Sequence, residues 1–334
     1  MSTEIARQRM STRLAVIICT WNRAETLRIT LDSLRGQELA DGIEVDFIVM
    51  DNNSSDATRQ VVDAARTGWP VGRLHYLFEG RQGKQFALNT GIAQARSLGC
   101  ELLAFTDDDI LFPADWCRQT VALFADPTLM LIGGKTLLDW PPSGPPAWFH
   151  RDMAAILAGV DLGDERQCPP DPEYAPAGSN MAARAALFDR VGGFSEKHFR
   201  HMDYEFGQRC MRLGVRMAYE PGWVVRAPVD QQLLSKRYFR RWSLKAGISP
   251  WQDMQAGVRH LAWVPLWLYR RTAGDLLAWL VAPVRGEPEA DRFLRELRIW
   301  RAWGTLQSRW ISRLRPAAYP EWVKARSQKR NNVY

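Results

Sequence analysis

No stretch of the 334 residues reaches the run of about 18 uncharged apolar positions that marks a membrane span. The nearest approach, Leu261–Val284, is broken by Arg270, Arg271 and Asp275, so a spanning helix is not expected there. Residues 1–13 are polar and lack the apolar centre of a signal peptide. Cysteine is scarce: Cys19, Cys100, Cys117, Cys168 and Cys210 are scattered, with no CxxC and no Cys/His spacing. That pattern excludes a disulfide scaffold and a zinc module, and it reads as reduced thiols in the cytoplasm. The histidines form no HExxH, no GxSxG supplies a hydrolase nucleophile, and no GxGxxG follows the first apolar run. Gly80-Arg81-Gln82-Gly83-Lys84 lacks the Walker spacing, so a phosphate loop of that kind is set aside as well.

What is present is an ordinary globular balance, 46% hydrophobic and 24% charged, which can bury a core and excludes global disorder. Charge is unevenly spread. Residues 236–334 carry 20 Lys/Arg against 7 Asp/Glu, together with 9 of the 15 tryptophans. The preceding residues sum to a net −6. A mildly acidic body with a basic, Trp-rich tail points to an anionic partner for the tail. Trp and Leu can sit at the acyl boundary while Arg meets anionic headgroups, so a peripheral position at the inner face of a membrane is expected. The same aromatics packing as ordinary core is the competing expectation. No nucleic-acid reader motif accompanies the charges, and no nucleic acid is expected as partner.

The first third alternates strand and helix. Leu14–Thr20 reads as a strand buried on both faces. Leu27, Leu31 and Leu34 give a helix over Ala24–Arg35. Val45–Asp51, Leu74–Phe78 and Leu102–Thr106 read as further strands, with helices over Asp56–Arg66 and Gln82–Leu98 between them. The fold class is therefore α/β, a mostly parallel doubly wound sheet, in which ligands bind at the carboxyl ends of the strands. Asn22, Asp51–Asp56 and Asp107–Asp109 fall at those ends. Residues 138–177 are irregular and hold eight prolines. Ala183–Val191, Asp203–Leu213 and Val215–Val225 follow as regular elements, and the pattern is helical from Gln231 onward. On a helical wheel Phe293, Leu294, Leu297, Trp300 and Trp303 share one side, opposite Arg295, Arg298, Arg309 and Arg313.

Asp107-Asp108-Asp109 is the sharpest constellation. Adjacent carboxylates repel unless positive charge sits between them, and Mg2+ or Mn2+ bridging to phosphate oxygens is a usual solution. A solvated acidic loop is the alternative. Asp51-Asn52-Asn53-Ser54-Ser55-Asp56 can form turns and a helix cap, or accept hydrogen bonds from a nucleoside. Lys84 at a helix start can neutralise a diphosphate. Asp203 at the start of a helix is by default a cap.

Taken in order, the segments Val16–Arg23, Phe47–Asp56, Gly83–Ile92, Phe105–Asp109, Gly178–Met181, Val191–Phe194 and Asp203–Arg209 resemble family 2 of the glycosyltransferases over about residues 14–245. The resemblance implies an inverting enzyme with the GT-A nucleotide-sugar fold, followed here by a helical Arg/Trp-rich extension. It implies that Thr20, Asn22 and Asp51 hold the base and ribose, with Asn53, Lys84, Asn89 and Asp108 also among the donor-binding residues. Asp107 and Asp109 match the ends of the family's Asp-x-Asp metal motif, and Asp203 matches its general base. Two positions depart from the pattern. Met202 stands where the family often has Glu. Ala227 stands where it often has a metal-ligating His, so either the metal site is weaker or Arg226 supplies charge to the diphosphate. Tyr238-Phe239-Arg240-Arg241-Trp242 only partly resembles the Gln-x-x-Arg-Trp motif of processive synthases, which implies one sugar added per encounter. The implied division is a nucleotide-sugar half over 1–135, an acceptor half over 136–235 and the extension over 236–334. The implied partners are a nucleotide sugar, with UDP favoured, and a hydroxyl acceptor such as a polyprenyl-diphosphate-linked glycan. A sugar nucleotidyltransferase and a non-catalytic nucleotide-sugar-binding protein remain as alternatives.

Overall fold

The structure, a computed structural model, describes residues 11–198, 200–248 and 259–328. The polar residues 1–10 and Trp251, weighed in the sequence, lie outside them. The described residues form two compact units. One takes those up to Leu137 with Asp161–Phe194 and Phe206–Arg226. The other takes Leu138–Val160, Ser195–Glu205 and those from Ala227 on.

In the first unit β1 (Thr12–Thr20), β2 (Ile43–Asp51), β3 (Arg73–Phe78) and β4 (Leu102–Asp107) alternate with α1 (Ala24–Leu34), α2 (Thr58–Arg66) and α3 (Lys84–Ser97). The apolar run in β1 makes it the sheet's interior: Leu14 through Ile18 are wholly buried, and β2 and β4 pair with it in parallel. α1 covers the sheet with Leu27, Leu31 and Leu34, the spacing that the sequence showed. Then α4 (Trp116–Leu123), β5 (Leu131–Asp139), β6 (Met181–Arg184), α5 (Leu187–Val191), α6 (Met202–Arg212) and β7 (Met217–Pro228) follow, the start of α6 through Glu205 being assigned to the second unit. The seven-stranded order is β3-β2-β1-β4-β6-β5-β7, with β6 antiparallel to both β4 and β5. The stretch read as one element over Ala183–Val191 is thus the end of a short strand and a separate short helix.

Asn180 ties the later strands together. Its side chain is fully buried and donates to the carbonyls of Lys135 and Trp223, while its Oδ1 accepts from Trp116 Nε1 at 3.0 Å. Trp116 and Trp223 stack with ring centroids 5.3 Å apart. Gly134 lets the backbones close around this amide, since a Cβ there would lie 2.2 Å from both Asn180 Nδ2 and the Trp223 carbonyl.

The second unit is built on α7 (Lys236–Gly247) and α9 (Glu289–Leu314), with α8 (Leu266–Val281) between them in sequence and α10 (Tyr319–Gln328) after. Its core joins Met153, Ile156 and Leu157, from a 3-10 turn inside the proline-rich stretch, to Phe239, Phe293 and Leu297. The apolar side of α9 is only partly buried. Phe293 and Leu297 are buried, but Trp300 and Trp303 remain 37% and 42% exposed, and the buried line continues instead through Gly304, Thr305 and Ser308. The cause is a close helix crossing. A Cβ on Gly304 would lie 2.0 Å from the Leu244 carbonyl, and one on Gly247 would lie 2.0 Å from the Arg301 carbonyl. Among the described residues no helix is long and apolar enough to cross a membrane.

Gly304→Ala forces α7 and α9 apart, and we expect it to cost about 3 kcal/mol or to prevent folding. Gly274→Ala in α8 meets nothing within 4 Å and should be neutral or stabilising by about 0.5–1 kcal/mol. Urea unfolding of the two variants checks the contrast; equal stabilities would refute the close crossing.

Candidate functional site

Parallel register brings Thr20 opposite Asp51, and Cys19 opposite Asp107, so three strands end on one line of the first unit. Asp107 closes β4, and Asp108 and Asp109 continue into the turn. The triplet is held by cations of this chain. Arg23 forks across it, Nη1 to Asp108 Oδ1 at 2.7 Å and Nη2 to Asp109 Oδ2 at 2.8 Å. Lys84, the first residue of α3, pairs with Asp107. Thr20 Oγ1 donates to the other oxygen of Asp108 at 2.7 Å. Burial pushes the Asp108 carboxyl well above its ordinary range, Arg23 draws it down and Asp109 pushes it up again. Burial opposes the charge on Arg23, but Asp109 and Asp108 outweigh it and raise its pKa.

Asp51 is buried and engaged at both oxygens, accepting from Ser54 N–H at 2.8 Å and from the Tyr76 hydroxyl at 2.7 Å. Burial and then Asp51 push the Tyr76 hydroxyl up to about 12. Asn22 and Asn53 both take the left-handed backbone region, φ 51° and 66°, which Asn tolerates better than most side chains. Asn22 knits two loops together: its N–H donates to Ser54 Oγ, and its Oδ1 accepts from Ser55 N–H at 2.7 Å. Asp56, expected as a helix cap, accepts from Thr58 N–H at the start of α2 and from Ala24 N–H at the start of α1.

Two residues in this region carry structure that sequence reading missed. Asn52 is buried; its Oδ1 accepts from Gly83 N–H at 2.7 Å, and its Nδ2 donates to the Arg81 carbonyl. Glu79 accepts from the backbone and guanidinium of Arg81 and from Thr90 Oγ1 at 2.6 Å. Together they fix the loop that delivers Lys84 to Asp107. The pattern that could have signalled them is a buried strand end followed by a glycine-flanked turn. Asn89, expected in the donor-binding set, has both ends of its amide taken by the Phe194 backbone, at 2.9 and 2.8 Å.

Arg226 is exposed and exchanges both backbone hydrogen bonds with Leu111, two residues beyond the acid triplet. Ala227 is buried. Asp203 lies in the second unit, in the first turn of α6, half-buried, with Oδ1 accepting from Tyr204 N–H at 2.9 Å. Met202 beside it is buried.

Chemically, Asp107 and Asp109 offer hard oxygen donors of the type that Mg2+ and Mn2+ prefer. Their side chains keep 27% and 30% exposure, while Asp108 is committed to Thr20 and Arg23. Three carboxylates against two cations leave room for further positive charge, so the donor set fits such an ion. No group of three or more His, Cys, Asp or Glu side chains arranged to hold a metal occurs among the described residues.

Comparison with known proteins agrees with this layout. The profile described as Glycosyl transferase family 2 matches residues 15–150, and that of Glycosyl transferase family group 2 matches residues 102–290. Validoxylamine A glucosyltransferase of Streptomyces hygroscopicus subsp. jinggangensis (strain 5008) is 28% identical over 244 residues, 65% of this chain and 56% of that protein. The chain therefore spans little more than half the length of that curated relative. Among solved structures, the mannosyltransferase PcManGT from Pyrobaculum calidifontis, in complex with GDP-Man and Mn2+, superposes with a TM-score of 0.62. The match is at 22% identity and covers 89% of this chain and 87% of that one. GalNAc-T7 with UDP, GalNAc and Mn2+ gives 0.50 at 15% identity, over 65% and 43% of the two chains.

Glu79 provides a pH test of the loop. Its hydrogen bonds from Arg81, helped by Thr90 and opposed by burial, hold its carboxyl at about 2. Because the folded pKa is depressed, the stabilisation is present above the unfolded value and is lost as pH falls from about 4.5 through 2. Glu79→Gln should cost about 1–2 kcal/mol at pH 6, and the gap to wild type should close toward pH 2. A gap independent of pH in urea titrations would contradict the assignment.

Proposed function

The chain belongs to glycosyl transferase family group 2 and has the GT-A fold, and on that premise we propose that it transfers one sugar from a nucleotide diphosphate to an acceptor hydroxyl with inversion. The observation that carries this reading is the acid triplet at the ends of β1, β2 and β4, ringed by Thr20, Asp51, Arg23 and Lys84.

In this reading Thr20, Asn22, Asp51 and Asn53 meet the nucleoside, and Asp107 with Asp109 holds Mg2+ or Mn2+. Manganese bound in PcManGT and GalNAc-T7 supports the ion. When bound, it supplies charge neutralisation to the departing diphosphate. Lys84 and Arg226 add positive charge from the protein, which matters more because Ala227 offers no ligand. Asp203 takes the proton of the acceptor hydroxyl as its oxygen bonds to the anomeric carbon and the nucleotide diphosphate leaves with the bonding electrons. A UDP sugar is favoured as donor. The acceptor half is assigned to 136–235, and the extension over 236–334 to a membrane surface that presents a lipid-linked saccharide. What supports the last point is α8, none of whose residues is buried: Leu276, Leu277 and Leu280 stand out at 45%, 64% and 57% exposure beside Arg270 and Arg271.

Calorimetry with UDP and Mn2+, combined with a transfer assay over a UDP-sugar panel, tests the core of the proposal. Asp109→Ala should lose metal-dependent nucleotide binding. Asp203→Asn should keep it while transfer falls at least about 100-fold. Unchanged turnover in Asp203→Asn removes that residue from the mechanism, and nucleotide binding without transfer to any acceptor favours the non-catalytic alternative. For the surface, Leu277→Glu with Leu280→Glu should weaken sedimentation with anionic vesicles roughly tenfold or more. Equal sedimentation would release α8 from that role.

A further inference from the structure

The three acids of the first unit's triplet stand in different surroundings, and one side chain draws the distinction. Arg23 reaches two of them with separate arms, Nη1 to Asp108 Oδ1 at 2.7 Å and Nη2 to Asp109 Oδ2 at 2.8 Å. The inner arm rests on a buried carboxylate. The Asp108 side chain is 5% exposed, and its other oxygen accepts from Thr20 Oγ1 at 2.7 Å. The outer arm rests on a more open one, since the Asp109 side chain keeps 30% exposure. Asp109 is also one of the two acids that the metal reading needs. In this structure a guanidinium therefore sits on an oxygen that a divalent ion would use.

The backbone that carries Arg23 is pinned on both sides. Asn22 before it holds a left-handed turn, φ 51°, with its N–H on Ser54 Oγ and its Oδ1 on Ser55 N–H. Ala24 after it donates its N–H to Asp56 Oδ2 at 3.0 Å. The Arg23 carbonyl itself accepts from Leu27 N–H at 2.9 Å, at the start of α1. The side chain, by contrast, is 37% exposed. A fixed stem thus carries a head with one strong and one weaker attachment, because an ion pair is worth more where solvent is excluded. A divalent ion and a guanidinium repel each other, so an ion held by Asp107 and Asp109 loosens the outer arm first. The N–H groups it releases need an acceptor. The diphosphate that arrives with the ion offers phosphate oxygens, which a guanidinium fork matches.

We propose that Arg23 hands its outer arm from Asp109 to the donor diphosphate when the ion binds, while its inner arm stays on Asp108. The inference rests on the reading of this site as one for a metal ion and a nucleotide diphosphate. Before loading, Arg23 supplies positive charge to Asp109 and competes with the ion. After loading it is a phosphate ligand. Ion and nucleotide then reinforce each other's binding, a coupling that is reciprocal. The role needs the two-armed geometry of arginine. A lysine at position 23 brings the same charge as a compact ammonium without the planar fork, so it can serve buried Asp108 and leave Asp109 open.

Calorimetry on the full-length chain tests the hand-over, first with MnCl2 alone and then with UDP and GDP at saturating MnCl2. The nucleotide that binds wild type more tightly is used for the variants. Arg23→Lys keeps the charge and loses the fork. It should bind Mn2+ alone at least about threefold more tightly than wild type, and the nucleotide at least about threefold more weakly. Arg23→Met should move both affinities further in the same opposite directions. If Arg23→Met does not fold, Arg23→Lys carries the test, since it still offers Asp108 a cation. A role in charge alone leaves Arg23→Lys equal to wild type in both titrations, and a role in loop structure alone weakens both. Either result overturns the proposal, as does a wild type that binds no Mn2+ or neither nucleotide. No turnover is measured, so a chain that shows the opposite shifts but transfers no sugar keeps the hand-over and loses only the transferase reading. A working transferase whose Arg23→Lys binds as wild type does loses the hand-over alone.

Discussion

Three carboxylates in succession at the end of a buried strand cannot stand alone, and the first unit is organised around that constraint. β4 delivers Asp107, Asp108 and Asp109 to the edge of the sheet, where the dielectric is low and repulsion is strong. Three elements answer it. The loop after β1 sends Arg23 across two of the acids, the end of β1 gives Thr20 to the middle one, and the start of α3 gives Lys84 to the first. Three carboxylates thus share two cations, and burial of the middle one sets its carboxyl apart from the other two.

The residues that keep those cations in place act on the loops and backbones around the triplet. Asn52 binds the loop before α3 through Gly83, and Glu79 clamps Arg81 and Thr90. Deeper in, Asn180 spans α4 and the backbones of β5 and β7, so that the later strands meet the sheet in one register. Each is a polar side chain buried with partners that satisfy it, and such groups specify one arrangement because any other leaves a donor or acceptor unpaired.

Much of this was legible in the sequence, for physical reasons. β1, β2 and β4 are apolar runs with buried interiors, and such runs declare themselves without alignment; β3, at the sheet's edge, is only partly buried, and the polar residues that stop the runs mark the ligand edge. The helix α1 was readable because its three leucines, at helical spacing, lie on its buried face with Thr30. Other parts were hidden. β6 is four residues long, rich in alanine, and its place between β4 and β5 depends on pairing with distant strands. The buried seam of α9 was hidden because its packing is decided by the absence of a side chain at Gly304. Asn89 sits in a motif that suggests a ligand, yet its amide is spent on the Phe194 backbone, a contact across more than a hundred residues.

The order of strands has a consequence for how the chain matures during synthesis. β5 leaves the ribosome before both of its sheet neighbours, β6 and β7, so it has no partner until they appear. The outer edge of β4 stays unpaired for the same interval, and open edges of this kind recruit other strands. The first part of the proline-rich stretch in between, Leu138–Val160, belongs to the second unit and must wait longer still, for Phe239 and then Phe293. The first unit has all its parts once Arg226 is made, whereas the second waits for α9. A nascent chain halted near residue 180 would hold a half-sheet whose remaining strands are unmade, and slow, non-local closure of this sort exposes it to misassembly. In that interval the eight prolines, poor formers of strand, keep the waiting segment from pairing with the open edge.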